Sequence, residues 1–365
     1  IDPDRVVLDP ITQLRYVEAN EHQFRKRILS FMRFLKERDT TVVATATLES
    51  DAGYQTEMRS LSDGVVELTH TDRGRRIGVT KHRGFWQQSG SHGMSIGDDG
   101  IDVFPALVPE RLDKSFDARR ISSGVENLDR LVGGGLERGT VTFISGPTGV
   151  GKTTIAAQFL TEAAAEGINS IAYLFEEGID TFTHRSESLE IPISDARDRG
   201  VVSLEAIEPL AQSAEEFAHL VKDDVDRTGS EIVLIDGIDG YKMSIQGSDA
   251  TLVEKIHSLT RHLKNRDVTV LITDEIPQIT GLASATSANL SYIADTIVFL
   301  SYVETEGSLR KVIGVLKKRA GGFEHSLREF DMDDSIHVGE PLTGVTGILH
   351  GTPRAHSGLT DQTDG

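Results

Sequence analysis

The feature that most constrains the fold is the run GPTGVGKT at residues 146–153. It matches the P-loop pattern G-x-x-x-x-G-K-[ST], in which backbone N–H groups surround a phosphate, the lysine contacts the outer phosphates and the hydroxyl holds Mg²⁺. The β-branched run 141–145 predicts a buried strand before it, and the apolar face of residues 153–166 predicts a helix after it. A loop between a strand and a helix N-terminus favours anions, whereas a chance match would lack this context.

Asp236 is the predicted partner of Thr153 in binding Mg²⁺. It follows the apolar strand predicted at residues 231–235. A carboxylate there can bind a water molecule of the ion, whereas its alternative role is to cap a turn or a helix. The P-loop in the same chain favours the metal role. The residues predicted to contact ATP are Gly146, Pro147, Thr148, Gly149, Val150, Gly151, Lys152, Thr153 and Thr154.

Two adjacent carboxylates, Glu176 and Glu177, are candidates for activating the attacking water. They follow the predicted strand 170–175, the next strand after the P-loop helix, so they should lie beside the γ-phosphate. Alternatively, they are acids in the first turn of a helix that complement its dipole. The spacing alone leaves both roles open.

Lys317 and Arg319 stand two residues apart on a predicted strand, so both side chains should point to one face. Two cations on an edge strand suit a phosphate across a subunit boundary, as an arginine finger does. The spacing alone favours another interpretation, in which the charges keep an edge strand from pairing with a second chain.

The composition limits the class of protein. The 365 residues carry a formal charge of −19 and include no cysteine, which excludes disulfides and cysteine-based zinc sites. The acidic balance disfavours nucleic acid and anionic membranes as partners. No apolar run approaches the roughly 20 residues of a membrane span. We therefore expect a cytoplasmic protein.

An internal repeat sets the predicted domain organisation. Four early segments match four later ones, at offsets that rise slowly from 227 to 236 residues. The pairs are 5–9 with 232–236, 34–43 with 262–271, 62–66 with 294–298, and 77–83 with 313–319. Only the later copy has a P-loop upstream. We predict a partial first domain at 1–109 whose P-loop is absent from this chain, a linker at 110–117, a complete domain at 118–351 and a disordered tail at 352–365.

Strands and helices alternate along the second copy. The predicted strands are 141–145, 170–175, 201–205, 231–235, 269–273, 296–302 and 311–316, and the predicted helices are 153–166, 214–226 and 252–266. This alternation predicts the α/β class, with a mainly parallel sheet flanked by helices. The last strands follow one another directly, which predicts an antiparallel edge.

Five separated motifs resemble those of the KaiC family, a branch of the RecA-like P-loop ATPases. They are RISSGVENLD at 120–129, GGGLERG at 133–139, FEE at 175–177, the Lys317 and Arg319 pair, and REF at 328–330 followed by VGEPL at 338–342. The likeness covers residues 1–351 as two tandem copies, the first truncated. It implies a regulatory ATPase that binds ATP and Mg²⁺ and forms hexameric rings with nucleotide between subunits. We expect it to signal to protein partners.

The resemblance also implies roles for individual residues. Glu176 and Glu177 would be the catalytic carboxylates, and Lys317 and Arg319 would act on the γ-phosphate of a neighbouring subunit. Some members phosphorylate themselves on an adjacent Ser-Thr pair. Here Ser291 keeps the first acceptor and Tyr292 replaces the second, so Ser291 is a candidate site for weak autokinase activity.

Two other functions stay open. A DNA-dependent recombination or repair ATPase of the RecA/Rad55 type would need basic DNA-facing loops, yet residues 276–292, about where recombinases place such a loop, contain no Lys or Arg. A nucleotide-gated scaffold with negligible hydrolysis is the second alternative.

Overall fold

The computed structural model describes residues 3–11, 13, 20–47, 59–71, 74–88, 90–107, 119–245, 249–276, 286–305, 307–343, 345–347 and 354–355. They belong to two compact units, one within Ile1–Leu68 and Ile77–Ser91, the other within Thr69–Arg76 and His92–Gly365. The predicted linker lies outside the described residues, as does the predicted tail apart from Arg354 and Ala355.

The first unit contains two parallel strands separated in sequence by a helix. β1 (Arg5–Leu8) pairs in parallel with β2 (Thr41–Ala44), and α1 (Glu21–Lys36) lies between them in the chain. The Asn20 side chain caps α1 by accepting a hydrogen bond from the backbone N–H of Gln23, at 2.9 Å. Two further strands, β3 (Gly64–Thr71) and β4 (Gly74–His82), contribute residues to both units.

The remaining strands and helices follow in a regular order. They are β5 (Ser91–Gly97), β6 (Gly100–Phe104), β7 (Arg120–Ile121), α2 (Glu126–Leu131), β8 (Leu136–Glu137), β9 (Val141–Gly146), α3 (Lys152–Ala165), β10 (Ser170–Leu174), α4 (Ile179–Glu187), α5 (Ile193–Asp198), β11 (Val202–Ala206), α6 (Ala214–Thr228), β12 (Ile232–Asp236), α7 (Ile238–Ile245), α8 (Asp249–Lys264), β13 (Thr269–Glu275), a 3₁₀ helix (Ser287–Tyr292), β14 (Thr296–Thr305), β15 (Ser308–Lys318), β16 (Arg328–Asp331), β17 (His337–Pro341), β18 (Val345–Thr346) and β19 (Arg354–Ala355).

A nine-stranded sheet organises the second unit. Its order is β11-β10-β12-β13-β9-β14-β15-β16-β17. Pairing is parallel from β11 to β14 and antiparallel from β14 to β17. The predicted α/β class, the mainly parallel sheet and its antiparallel edge are therefore confirmed. One expectation is wrong: β15, which contains Lys317 and ends one residue before Arg319, is not the edge strand of the sheet, because it pairs with β14 and, at residues 311–313, with β16.

Helices cover both faces of this sheet, so its parallel strands are apolar on both sides. One buried cluster joins α3 to the sheet and includes Leu174, Leu234 and Leu271. The other joins α6, α7 and α8 to the opposite face and includes Val233 and Ile272. Neighbouring residues of each strand thus enter different clusters, as period-two alternation requires. The unit is a three-layer α/β/α sandwich.

The predicted helices are present, with shifted bounds. α6 begins with a capping box: the N–H of Ser213 donates to the Glu216 carboxylate at 2.5 Å, and the N–H of Glu216 donates to the Ser213 hydroxyl at 3.2 Å. Four short helices, α2, α4, α5 and α7, were not predicted, because six to nine residues give too little helical periodicity to recognise. Among the described residues, no helix combines the length and apolar character needed to cross a membrane.

Candidate functional site

The P-loop joins β9 to α3, the context that the sequence predicts. Gly149 and Gly151 adopt φ angles of 73° and 112°. A Cβ atom on Gly151 would lie 2.4 Å from the sulfur of Met332, so a larger residue would displace that side chain in addition to straining the backbone. The loop ends at the N-terminus of α3, where the helix dipole and the first N–H groups favour an anion.

Lys152 lies across the loop that it belongs to. Its Nζ donates to the carbonyl oxygens of Gly146 and Pro147, each at 2.9 Å. Burial lowers the pKa of Lys152, and surrounding carboxylates oppose that shift, with Glu275 contributing most. The ammonium group is therefore held inside the loop by carbonyl oxygens, in position for a polyphosphate.

Thr153 and Asp236 meet at the carboxyl end of the sheet. The Thr153 hydroxyl donates to Asp236 Oδ1 at 2.8 Å, and the Thr273 hydroxyl donates to the same oxygen at 2.7 Å. Asp236 is buried, which raises its pKa, although the two hydroxyl hydrogen bonds oppose the shift. Hydroxyl and carboxylate oxygens are ligands that fit Mg²⁺, which normally completes its shell with substrate phosphates and water.

The described residues contain no group of three or more His, Cys, Asp or Glu side chains placed to hold a metal ion by themselves. Thr153 and Asp236 supply one hydroxyl and one carboxylate oxygen, which fit a Mg²⁺ ion that completes its shell with phosphates and water.

Glu176 faces the same space as Lys152 and Asp236. Glu176 lies two residues past the end of β10, in the turn that leads to α4, where the charges of Asp236 and Lys152 both act on its carboxylate. A Cβ atom on Gly237, which follows Asp236, would come within 2.7 Å of the Glu176 side chain. Lost hydration and then the charge of Asp236 raise the pKa of Glu176.

Glu177 has a different environment. It forms an ion pair with Arg185 of α4 at 2.5 Å. Burial raises the pKa of Glu177, while the Arg185 charge opposes the shift. The two adjacent carboxylates, which the sequence could not distinguish, are therefore separated: Glu176 faces the P-loop, and Glu177 is held by a helix.

Lys317 and Arg319 lie together, beside the 3₁₀ helix that contains Ser291. Lys317 Nζ donates to the carbonyl oxygen of Ser291 at 2.6 Å, and Arg319 donates to that of Tyr292 at 2.5 Å. Arg319 also lies 3.5 Å from Asp295. Burial, and then the nearby Arg319, lower the pKa of Lys317.

This cation pair is at the opposite end of the sheet from the P-loop. Asp295 binds both backbone groups of Val141, the first residue of β9, at 2.8 and 2.9 Å. The P-loop begins at the last residue of β9, and a six-residue strand is about 17 Å long. Lys317 and Arg319 therefore do not meet Lys152 of the same chain.

Ser291, the candidate phosphorylation site, is half-buried at the end of the 3₁₀ helix, and the exposed Tyr292 ring stacks on His257 with centroids 5.8 Å apart. The loop compared with recombinase DNA-binding loops falls mostly on residues 277–285, outside the described residues.

Sequence reasoning missed three residues of this region: Arg185, Thr273 and Glu275. The signal for the last two was present. Leu271 faces α3, so counting by twos along β13 places Thr273 and Glu275 on the same face. Arg185 carried no such signal, because its contact with Glu177 depends on the placement of α4.

Comparison with known proteins gives the family. A family model described as the KaiC ATPase matches residues 1–108 and 121–342. The chain is 30% identical over 359 residues to the circadian clock protein KaiC3 of Synechocystis sp., covering 96% of this chain and 70% of that protein. It is 28% identical over 298 residues to the circadian clock oscillator protein KaiC of Picosynechococcus sp., covering 80% of this chain and 57% of the relative.

A third relative is the circadian clock oscillator protein KaiC of Acaryochloris marina, which is 26% identical over 358 residues, covering 96% of this chain and 68% of the relative. The chain thus spans between 57% and 70% of the length of these three proteins. The family model matches most of this chain, and the matched residues include the P-loop. The chain therefore belongs to the KaiC family of ATPases.

Proposed function

We propose that this protein binds MgATP at its P-loop and hydrolyses it, as a ring-forming regulatory ATPase. The observation that carries the proposal is the convergence of Lys152, Thr153, Asp236 and Glu176 at the carboxyl end of one sheet. Phosphoryl transfer from ATP requires a cation on the outer phosphates, a Mg²⁺ site and a group that orients water. Lys152 meets the first requirement, Thr153 and Asp236 together meet the second, and Glu176 meets the third.

Lys152 is the proposed phosphate ligand. Its Nζ now binds two P-loop carbonyl oxygens, and the β- and γ-phosphates would replace them as partners. Thr153 and Asp236 would hold Mg²⁺, which neutralises charge on the phosphate oxygens. The backbone N–H groups of residues 146–154 would surround the β-phosphate.

Glu176 is the proposed group that orients and deprotonates the attacking water. Its raised pKa suits a general base better than that of an ordinary glutamate. Glu177 is assigned a positioning role instead, because Arg185 already pairs with its carboxylate. This assignment refines the expectation that either residue could act.

Lys317 and Arg319 would complete the site of a neighbouring subunit. Their distance from Lys152 of the same chain supports a role in trans. The two cations and the P-loop lie at opposite ends of β9, so Lys317 and Arg319 cannot reach a γ-phosphate bound to their own P-loop. An arrangement in which one end of each subunit faces the other end of the next is head-to-tail, and such interfaces form a ring when the rotation between subunits closes. We propose a homo-oligomeric ring, hexameric by analogy with the family, that signals to protein partners.

The predicted tandem organisation is part of this proposal. β1 and β2 pair with Arg5 opposite Thr41, and β12 and β13 pair with Ile232 opposite Thr269. These positions correspond at the offsets found in the sequence, so the early and later segments share one register. That identity supports a partial first domain at 1–109 and a complete one at 118–351.

Autokinase activity on Ser291 is a weaker part of the proposal. Ser291 lies next to Lys317, at the end of the sheet away from the P-loop of its own chain. Transfer to Ser291 would therefore use ATP bound to a neighbouring subunit, in the same interface that Arg319 serves.

The test compares MgATP turnover and molar mass in solution for the wild type and for Glu176→Gln. We expect slow hydrolysis by the wild type, retained ATP binding by the variant, and a loss of at least about 100-fold in its turnover. We also expect a ring mass in ATP. Equal, negligible rates for both proteins would support the scaffold, and strong stimulation by DNA would support the recombination ATPase.

A further inference from the structure

A cavity of about 410 Å³ lies on the face of the sheet that α6, α7 and α8 cover, opposite to the face that α3 covers. Its walls are these three helices and residues 105–107, which follow β6, and all of its lining residues belong to the second unit. The apolar part of the lining includes Leu107, Ala214, Ala218 and Leu259. The volume is within the range of small-molecule sites, and the proposed mechanism uses none of the lining residues.

Hydrogen bonds to two helices hold residues 105–107 in place as one wall of the cavity. His219 Nε2 of α6 donates to the carbonyl oxygen of Pro105 at 2.8 Å. The Ser258 hydroxyl of α8 donates to the carbonyl oxygen of Leu107. This wall is therefore formed before any ligand binds, so that binding would require little ordering of the chain.

Tyr241 of α7 lines the cavity and is fully buried, and its hydroxyl has no hydrogen-bond partner among the described residues. The ring packs against Phe175 and Phe217, with centroids 6.0 and 5.2 Å apart, and neither of these rings lines the cavity. Burial, and then the charge of Glu215, raise the pKa of Tyr241, so the hydroxyl keeps its proton. A buried donor without an acceptor costs free energy, which an oxygen atom in the cavity would recover.

The carboxylate that acts on this hydroxyl, Glu215, also lines the cavity and is shared by two cations. Arg76 contacts it at 2.9 Å and Lys255 at 3.0 Å. Lys255 is a lining residue as well, and its ammonium group has three N–H donors, so one contact with Glu215 does not saturate it. Glu254 and Arg261 add one charge of each sign to the lining. These three cations and two carboxylates leave one positive charge in excess, in a chain whose formal charge is −19.

We propose that this cavity binds a small organic carboxylate, whose apolar body lies against Leu107, Ala218 and Leu259 and whose charged group accepts from Tyr241 and Lys255. An apolar lining with a few convergent polar groups is the usual form of a small-molecule site. The single charge of the ligand matches the excess positive charge of the lining. Water alone would satisfy the Tyr241 hydroxyl but would leave the apolar walls hydrated. The site does not include the P-loop, so the inference goes beyond the proposed function and does not depend on hydrolysis.

The experiment titrates the full chain with 3-phenylpropionate and with its uncharged analogue 3-phenylpropan-1-ol, followed by saturation-transfer NMR. The carboxylate should bind with a Kd of about 1 mM, as expected for a ligand of this size, and the alcohol about tenfold more weakly. Tyr241→Phe keeps the ring and should weaken binding of the carboxylate about tenfold. The Tm of this variant should be at or above that of the wild type, because the lost hydroxyl had no partner. Ala218→Leu fills the cavity and should abolish binding.

The matched control is Tyr173→Phe, which removes a buried tyrosine hydroxyl outside the cavity that donates to Asp224 at 3.1 Å. It should lower Tm and leave the Kd for 3-phenylpropionate unchanged. Equal affinity of the wild type and Tyr241→Phe, equal affinity for the acid and the alcohol, or no binding of the acid would overturn the proposal. Displacement of the acid by MgADP would place it at the P-loop and would also overturn it. A marked fall in the Tm of Tyr241→Phe would show that its hydroxyl is already paired, with the same consequence.

Discussion

An early stretch, residues 4–83, and a later stretch, residues 231–319, make matching local contacts. They differ in how deeply their strands are buried. In both, a helix ends in a turn with an aspartate at positive φ: Asp39 at 52° and Asp267 at 60°. In both, a threonine hydroxyl donates to an aspartate that ends or follows the first strand: Thr45 to Asp9 and Thr273 to Asp236.

The cation pairs are also the same. In each stretch, a Lys-x-Arg pair donates to two consecutive backbone carbonyl oxygens, and its arginine also contacts an aspartate. The early set is Lys81, Arg83, Asp63 and the carbonyls of Arg59 and Ser60, and the later set is Lys317, Arg319, Asp295 and the carbonyls of Ser291 and Tyr292. These local contacts are encoded within the repeat itself.

Burial separates the two stretches. Val7 and Val43 of the early pair are 68% and 56% exposed, whereas the matching Leu234 and Leu271 are 0% and 1% exposed. The later residues pack beneath α3, the helix that follows the P-loop. The repeat therefore determines the strand register and the placement of the cations. The buried core and the phosphate site depend on the segment that contains the P-loop and α3.

The largest expected effect is that of Lys152→Ala. The sequence contains a single P-loop, so the early stretch cannot supply a second phosphate site within this chain. ATP turnover should fall about 1,000-fold, because the outer phosphates lose their cation. A rate near that of the wild type, measured as phosphate release, would mean that hydrolysis occurs elsewhere in the chain.

Leu234→Ala and Val7→Ala test the difference in burial. Leu234→Ala should lower the free energy of unfolding of the second unit by about 3 kcal/mol, through lost burial and a cavity. Val7→Ala should change stability by less than about 0.5 kcal/mol, since Val7 is already largely exposed. Urea denaturation of the full chain measures both, and similar losses would show that Val7 is covered in solution.

Asp236→Ala and Asp9→Ala test whether the shared Thr–Asp contact has the same meaning in both stretches. Asp236→Ala should reduce Mg²⁺-dependent turnover about 100-fold, because the proposed metal site loses its carboxylate. Asp9→Ala should leave the rate within about twofold. A titration of activity against Mg²⁺ separates metal binding from catalysis, and equal losses in the two variants would contradict the assignment.

The smallest expected effect concerns stability and pH. Folding raises the pKa of Glu176. At pH values above this raised pKa, the ionised carboxylate lowers the free energy of unfolding. This destabilisation disappears as the pH falls through the raised pKa. Glu176→Gln should therefore raise Tm by ~2 °C at neutral pH without nucleotide, and by less as the pH approaches 4. Glu166→Gln serves as control. A lower Tm for Glu176→Gln at neutral pH would contradict the predicted destabilisation by the buried, ionised carboxylate.

Much of the fold could be predicted from the sequence, because a few motifs fix it. The P-loop requires a strand before it and a helix after it, and apolar runs marked the parallel strands up to Asp236. The inner position of β15 could not be predicted, since its second neighbour, β16, is only four residues long and polar in part. Short strands give too little alternation to recognise.

The sequence identified the residues of the candidate site but did not predict which of them contact each other. Glu176 and Glu177 were equivalent by spacing, and only the position of Arg185, eight residues further along the chain, separates them. The same holds for Lys317, whose neighbour Ser291 is 26 residues away in the chain. Contacts of this kind depend on how elements pack, which local patterns do not record.

The most direct test of the account mixes two inactive variants. Lys152→Ala lacks the phosphate ligand of its own site, and Arg319→Ala lacks the cation proposed to act on the neighbouring site. Each should have little ATP turnover alone. In rings assembled from equal amounts of the two variants, about a quarter of the sites combine an intact P-loop with an intact Arg319 from the neighbouring subunit. Such rings should therefore recover about a quarter of the wild-type rate. No recovery on mixing, or full activity of Arg319→Ala alone, would contradict a site shared between subunits.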